Sequence, residues 1–167
     1  MQRAHINLRG DSGDQRFLDA ATAALGHALP TTANTFTGDD PRLYWLSPDE
    51  WLVSAEPGRA PRLVAALETE MAGLHVAIND LSGGNVCVHL SGADAAERLA
   101  AGCALDLHPT AFIAGHCAQT GLAKANVLIA CIDAAPVYEI IVRRSFSEYL
   151  LRWLRQNPLS RDDSASF

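Results

Sequence analysis

Between residues 99 and 120 the sequence LAAGCALDLHPTAFIAGHCAQT gathers Cys103, His108, His116 and Cys117, with Asp106 among them. Those residue types suit two chemistries: a transition-metal centre, or a thiolate nucleophile beside an imidazole. Structural zinc sites draw ligands in close pairs such as Cys-x-x-Cys, because one turn must present two donors to one ion. Here the spacings are Cys103-x4-His108 and the adjacent pair His116-Cys117. If Cys117 begins a strand, neighbouring side chains point to opposite faces and do not share an ion. A nucleophilic thiol needs a helix N-terminus or a cationic neighbour to lower its pKa. Cys103 follows Gly102 at the C-terminal end of a predicted helix, where the dipole disfavours a thiolate. The four residues read as turn and core.

Other reactive residues lead to the same reading. Cys131, within VLIACI, suits a small buried hydrophobe. Cys87 alternates with Val86 and Val88, so Cys87 and His89 share one strand face, with His89 half-buried and satisfied. Gly83-Gly84 lacks the strand–helix context of a phosphate cradle, and no Gly-x-Ser-x-Gly elbow occurs. Asp39-Asp40 and Asp162-Asp163 fall in a loop and a tail, as solvated charge pairs. No catalytic, cofactor-binding or metal-ligating residue is nominated. Arg143-Arg144, between a strand and a helix, suits recognition of a carboxylate or acidic patch, and equally suits a local surface salt bridge. With Arg152 and Arg155 of the following helix, they are the nominated interface residues.

The elements that must position these groups follow from periodicity and punctuation. Strands are expected at 5–8, 42–46, 50–55, 75–80, 85–90, 126–132 and 137–142, with 31–36 extended. Ser47-Pro48-Asp49 and Asp133-Ala-Ala-Pro read as hairpin turns. Helices are expected at 17–25, stopped by Gly26, and at 61–71, opened by Pro61. Ser91 caps a predicted helix over 92–101, with Asp94 three residues on and Gly102 as its stop. Ser145 and Glu148 form a capping box for a last helix carrying Phe146, Tyr149, Leu150, Trp153 and Leu154 on one side. Strands and helices mix without strict alternation, so the expected class is α+β with a largely antiparallel sheet. One domain over 1–156 and a polar tail over 157–167 are the expected organisation.

Length and composition agree with that class. A chain of 167 residues, 49% hydrophobic and 19% charged, can bury one core without staples. A net charge of −6 with no Lys/Arg run lacks the footprint of a nucleic-acid binder. No apolar run is long enough to cross a bilayer, and MQRAHINLRGD carries no signal-peptide core. Four cysteines without Cys-x-x-Cys spacing are expected as thiols, in a cytoplasmic chain.

The stretch that fails as chemistry is distinctive as a signature. GCALDLHPTAFIAGHCAQT, with the following GLAKANVLI, resembles the gamma subunit of heterotetrameric sarcosine oxidase. INLRGD (6–11), LPTTANT (29–35), YWLSPDEWLV (44–53), LSGADAAERLAAG (90–102) and VRRSFSEYLLRWL (142–154) agree in order, so the resemblance spans all but the tail. Cys87, Asn126 and Cys131 depart from the family pattern. The resemblance implies a fold similar to part of the folate-binding aminomethyltransferase, the glycine-cleavage T-protein. It also implies a non-catalytic assembly subunit in a complex that oxidatively demethylates sarcosine to glycine. FAD, FMN, NAD, tetrahydrofolate and zinc would then belong to alpha, beta and delta partner subunits. Two rival readings are a free-standing folate-binding or one-carbon-transfer protein, and the equivalent subunit of another complex such as N-methylglutamate dehydrogenase.

Overall fold

The computed structural model describes residues 2–156, so the tail expected over 157–167 lies outside the described residues. The first half of the chain builds one sheet. Its strands are β1 (Ala4–Arg9), β2 (Phe36–Thr37), β3 (Arg42–Ser47), β4 (Glu50–Ala55) and β5 (Ala77–Asp80), in the order β2-β3-β4-β1-β5. The second half builds another from β6 (Asn85–Ser91), β7 (Cys117–Leu122), β8 (Ala125–Asp133) and β9 (Val137–Arg143), ordered β6-β9-β8-β7. Every pairing is antiparallel, and both expected hairpins, β3–β4 and β8–β9, are present. The class is α+β, as the sequence predicts.

Period-two alternation sorts each strand between two buried layers. Ile6, Leu8, Trp51 and Val53 pack beneath α1 (Gln15–Leu25) and α2 (Ala60–Glu70). Val88, Ile129, Ile140 and Val142 pack beneath α3 (Ala95–Ala100), α4 (Arg144–Gln156) and the 103–116 connection. The opposite faces of the two sheets meet across Tyr44, Leu52, Cys117, Leu128, Ala130 and Ile141. Both faces of β8 and β9 are therefore covered, which explains their nearly continuous apolar runs. The sheets are also tied edge to edge, where Cys117 N–H donates to Asn34 C=O at 2.8 Å and Phe36 N–H to Gly115 C=O at 3.0 Å.

Helix ends depart from the expected capping in instructive ways. Gly26 stops α1 as predicted, in the left-handed conformation at φ 78°, a shape that costs glycine nothing. Ser91 does not cap a helix; it pairs with Val137 as the last residue of β6, and α3 starts only at Ala95. Gly102 is no left-handed stop either. A Cβ there would lie 2.5 Å from the Trp153 ring, so its role is to let α4 pack closely. The Ser145–Glu148 capping box does not form, because α4 begins at Arg144 directly after β9 and Ser145 is already in its first turn. Ser147 Oγ instead donates to Arg144 C=O at 2.7 Å. Within α4 only Leu150 and Leu154 are fully buried, while Phe146 is 43% and Tyr149 37% exposed. Residues 32–34 bend and turn, with Asn34 at φ 59°, and only Thr35 and Phe36 are extended, in a bridge to His116 and in β2. The 75–80 strand begins at Ala77.

Candidate functional site

Cys103, His108, His116 and Cys117 do not converge. Cys117 begins β7 and points between the sheets, while His116 sits in the loop against the Phe112 ring, 6.1 Å away. Cys103 is half-buried, with Thr120 Oγ1 3.6 Å from its sulfur. His108 is exposed and bonded to Thr110 Oγ1 at 2.8 Å. Burial pushes the Cys117 thiol up to about 12 and raises Cys131 as well, which suits inert core thiols.

A different cluster forms where the two sheets face each other at one end. On β9 the Glu139 carboxylate is almost wholly buried. The register places it opposite His89 on β6, whose Nε2 donates to Oε2 at 2.7 Å. From β3 of the other sheet, Arg42 donates to Oε2 at 3.2 Å and the Tyr44 hydroxyl bonds Oε1. Burial alone would raise this carboxyl. The hydrogen bonds of Tyr44 and His89, with the Arg42 charge, outweigh burial and hold it below the usual value. Burial and the neighbouring carboxylate push the Tyr44 phenol well above its own. His89 is thus satisfied and half-exposed, as its strand position predicts. Periodicity does not single out Glu139; its signal in the sequence is a lone charge inside VYEIIV.

At the opposite end the inter-sheet layer opens into a cleft of about 860 Å³. Strand alternation places Asn7, Glu50, Asn85, Gln119 and Asn126 around it, over a floor that includes Leu52 and Ile141. Arg143 and Phe146 stand at its α4 side. The nominated arginines are all exposed: Arg143 and Arg144 at the β9–α4 junction, Arg155 near the end of α4, and Arg152 paired with Glu148 at 2.8 Å. None of them belongs to the Glu139 cluster.

Two antiparallel sheets packed face to face, each covered by helices, define an α+β protein with an aminomethyltransferase-like fold. The aminomethyltransferase T of the glycine cleavage system from Bartonella henselae superposes with a TM-score of 0.67, covering 93% of this chain and 44% of that one, at 17% identity. The model of the sarcosine oxidase gamma subunit family matches residues 9–160, and the chain belongs to that family. It is 33% identical over 137 residues to the sarcosine oxidase subunit gamma of Corynebacterium sp. strain U-96. That match spans 81% of this chain and 65% of the relative's length. A chain of the heterotetrameric sarcosine oxidase from Corynebacterium sp. U-96 superposes with a TM-score of 0.84 at 31% identity, over 92% of this chain and 77% of that one. Among the described residues no helix is long and apolar enough to cross a membrane.

Proposed function

We propose that this chain is a non-catalytic assembly subunit of a cytoplasmic four-subunit sarcosine oxidase, which oxidatively demethylates sarcosine to glycine. FAD, FMN, NAD, tetrahydrofolate and zinc belong to its alpha, beta and delta partners. The observation that carries this reading is the likeness, over most of the chain, to a subunit of a heterotetrameric sarcosine oxidase. The docking face is the exposed surface of α4 and its junction with β9, with Phe146 and Tyr149 as aromatic anchors and Arg143, Arg144, Arg152 and Arg155 as charged contacts. Aromatic and arginine side chains dominate interface energetics, and large exposed rings otherwise carry a solvation cost. The test is recovery of the tagged chain from its native cells in low salt. Co-purification of a flavoprotein supports the reading, and its absence overturns it. The masses of the recovered partners also distinguish sarcosine oxidase from an N-methylglutamate dehydrogenase.

The inter-sheet cleft favours a second reading, a free-standing folate-binding or one-carbon-transfer protein, since its volume suits a drug-sized ligand. Saturable thermal stabilisation by tetrahydrofolate would support it; an unchanged melting curve counts against it.

A further inference from the structure

Among the described residues, a sulfur, an imidazole nitrogen and a carboxylate oxygen lie within 4.8 Å of one another, from Cys87, His89 and Glu139. They are brought together by strand register: Cys87 and His89 are two apart on β6, and Glu139 lies opposite His89 on β9. All three side chains therefore point to the same side of the second sheet. We propose that Cys87, His89 and Glu139 form a binding site for a divalent transition-metal ion of the zinc class, on the inter-sheet face of β6 and β9.

The donor set is one that zinc takes: thiolate, imidazole and carboxylate. Tetrahedral zinc with such bonds needs its donor atoms roughly 3.4–3.8 Å apart. The trio reaches that spacing by small side-chain movements, in which His89 exchanges its hydrogen bond to Glu139 for the ion. Without an ion, burial and the Glu139 carboxylate push the Cys87 thiol up to about 12. The thiolate forms only as the ion takes the place of the thiol proton, while Asp39 shares the Arg42 charge at 3.4 Å. Behind the carboxylate, Tyr44 and Arg42 already supply the outer donors that fix a ligating carboxylate in orientation. β6 is an edge strand and the His89 side chain is 49% exposed, so the ion has a route in past His89.

A second observation points to the same place. His5 is fully buried, and neither ring nitrogen has a hydrogen-bond partner among the described residues. On β1 it pairs with Ser54, which pairs in turn with Arg42 on β3, so His5 shares a cross-strand row with Arg42 on the face turned to the second sheet. Burial and the neighbouring Arg3 push its pKa down to about 4, so the ring is neutral. A neutral imidazole has one N–H donor and one acceptor nitrogen, and in His5 both are left without a partner. Buried polar atoms without a partner mark places where a water or an ion belongs. His5 would accept a hydrogen bond from water bound at the fourth position of the ion.

The proposal is tested with the full-length chain, stripped of metal and titrated with Co²⁺ as a spectroscopic stand-in for Zn²⁺. One Co²⁺ per chain is expected, with a thiolate-to-cobalt charge-transfer band and visible bands of tetrahedral intensity, all displaced by Zn²⁺. Cys87→Ser should abolish the charge-transfer band. His89→Gln alters a half-exposed side chain, keeps the fold and should weaken binding at least tenfold. Tyr44→Phe removes an outer donor and should weaken it about tenfold. No cobalt bound, or a charge-transfer band that survives in Cys87→Ser, overturns the proposal. Should Cys87→Ser not fold, X-ray absorption of the wild-type cobalt chain decides. One sulfur with imidazole scattering supports the site, and a shell of oxygen alone refutes it.

Discussion

Glu139 is held by side chains from both sheets, and each donor offsets part of the cost of burying its charge. Glu139→Gln leaves Arg42 facing a neutral partner in a nearly dry layer. In the metal-free chain it should lose about 3 kcal/mol, read as a lower urea midpoint. Tyr44→Phe removes one hydrogen bond to the charge and should cost about 1.5 kcal/mol. Asp14 acts at the surface. Its carboxylate caps α1 by accepting from Arg16 N–H at 3.0 Å. The Arg16 side chain and backbone together hold it below the ordinary carboxylate range. A depressed folded value contributes fully above the unfolded value near pH 4, and the contribution is lost as pH falls through the folded value. Asp14→Ala should therefore melt lower than wild type at pH 7, with the two curves converging in acid. At this scale the sequence discloses that Glu139 is unusual. It does not disclose why, because Arg42 and Tyr44 lie 97 and 95 residues away and in the other sheet.

At the scale of elements, the packing of α4 against the turn after α3 rests on the absence of a side chain at Gly102. Gly102→Ala drives a methyl into the Trp153 ring and should cost about 1–3 kcal/mol. Trp153→Phe in the same chain relieves the clash, so a double-mutant cycle should give a clearly favourable coupling energy. Phe146 and Tyr149 obey the opposite logic. Replacing them with Glu and Ser should leave the melting curve of the isolated chain nearly unchanged, since their rings are largely outside the core. Co-purification with partner subunits should be lost. Periodicity discloses the strands and helices well, because their apolar faces are strongly patterned. It misplaces the ends at Ser91 and Ser145, where the sheet ladder and an immediate strand-to-helix junction override a capping signal. It groups Phe146 and Tyr149 with the buried Leu150 and Leu154 on one side of α4, since an apolar stripe looks the same whether it meets a core or a partner.

For the whole molecule, class and family are legible along the chain, but the division into two sheets is not. β5 and β6 follow one another across Leu-Ser-Gly-Gly, a loop that would equally suit a hairpin, yet they belong to different sheets. All five strands of the first sheet lie within residues 4–80, and all four of the second within 85–143. Such a chain carries its own seam. Cut between Gly83 and Gly84, it yields two pieces that each keep a complete sheet and its helices. The apolar inter-sheet layer and the Arg42–Glu139 pair give those pieces a reason to find each other. Mixed in equal amounts, they should reassemble into a one-to-one species on size exclusion, and Glu139→Gln should weaken that reassembly. Joined to two halves of a reporter, the same pieces would make a proximity sensor whose affinity is set at a single buried carboxylate.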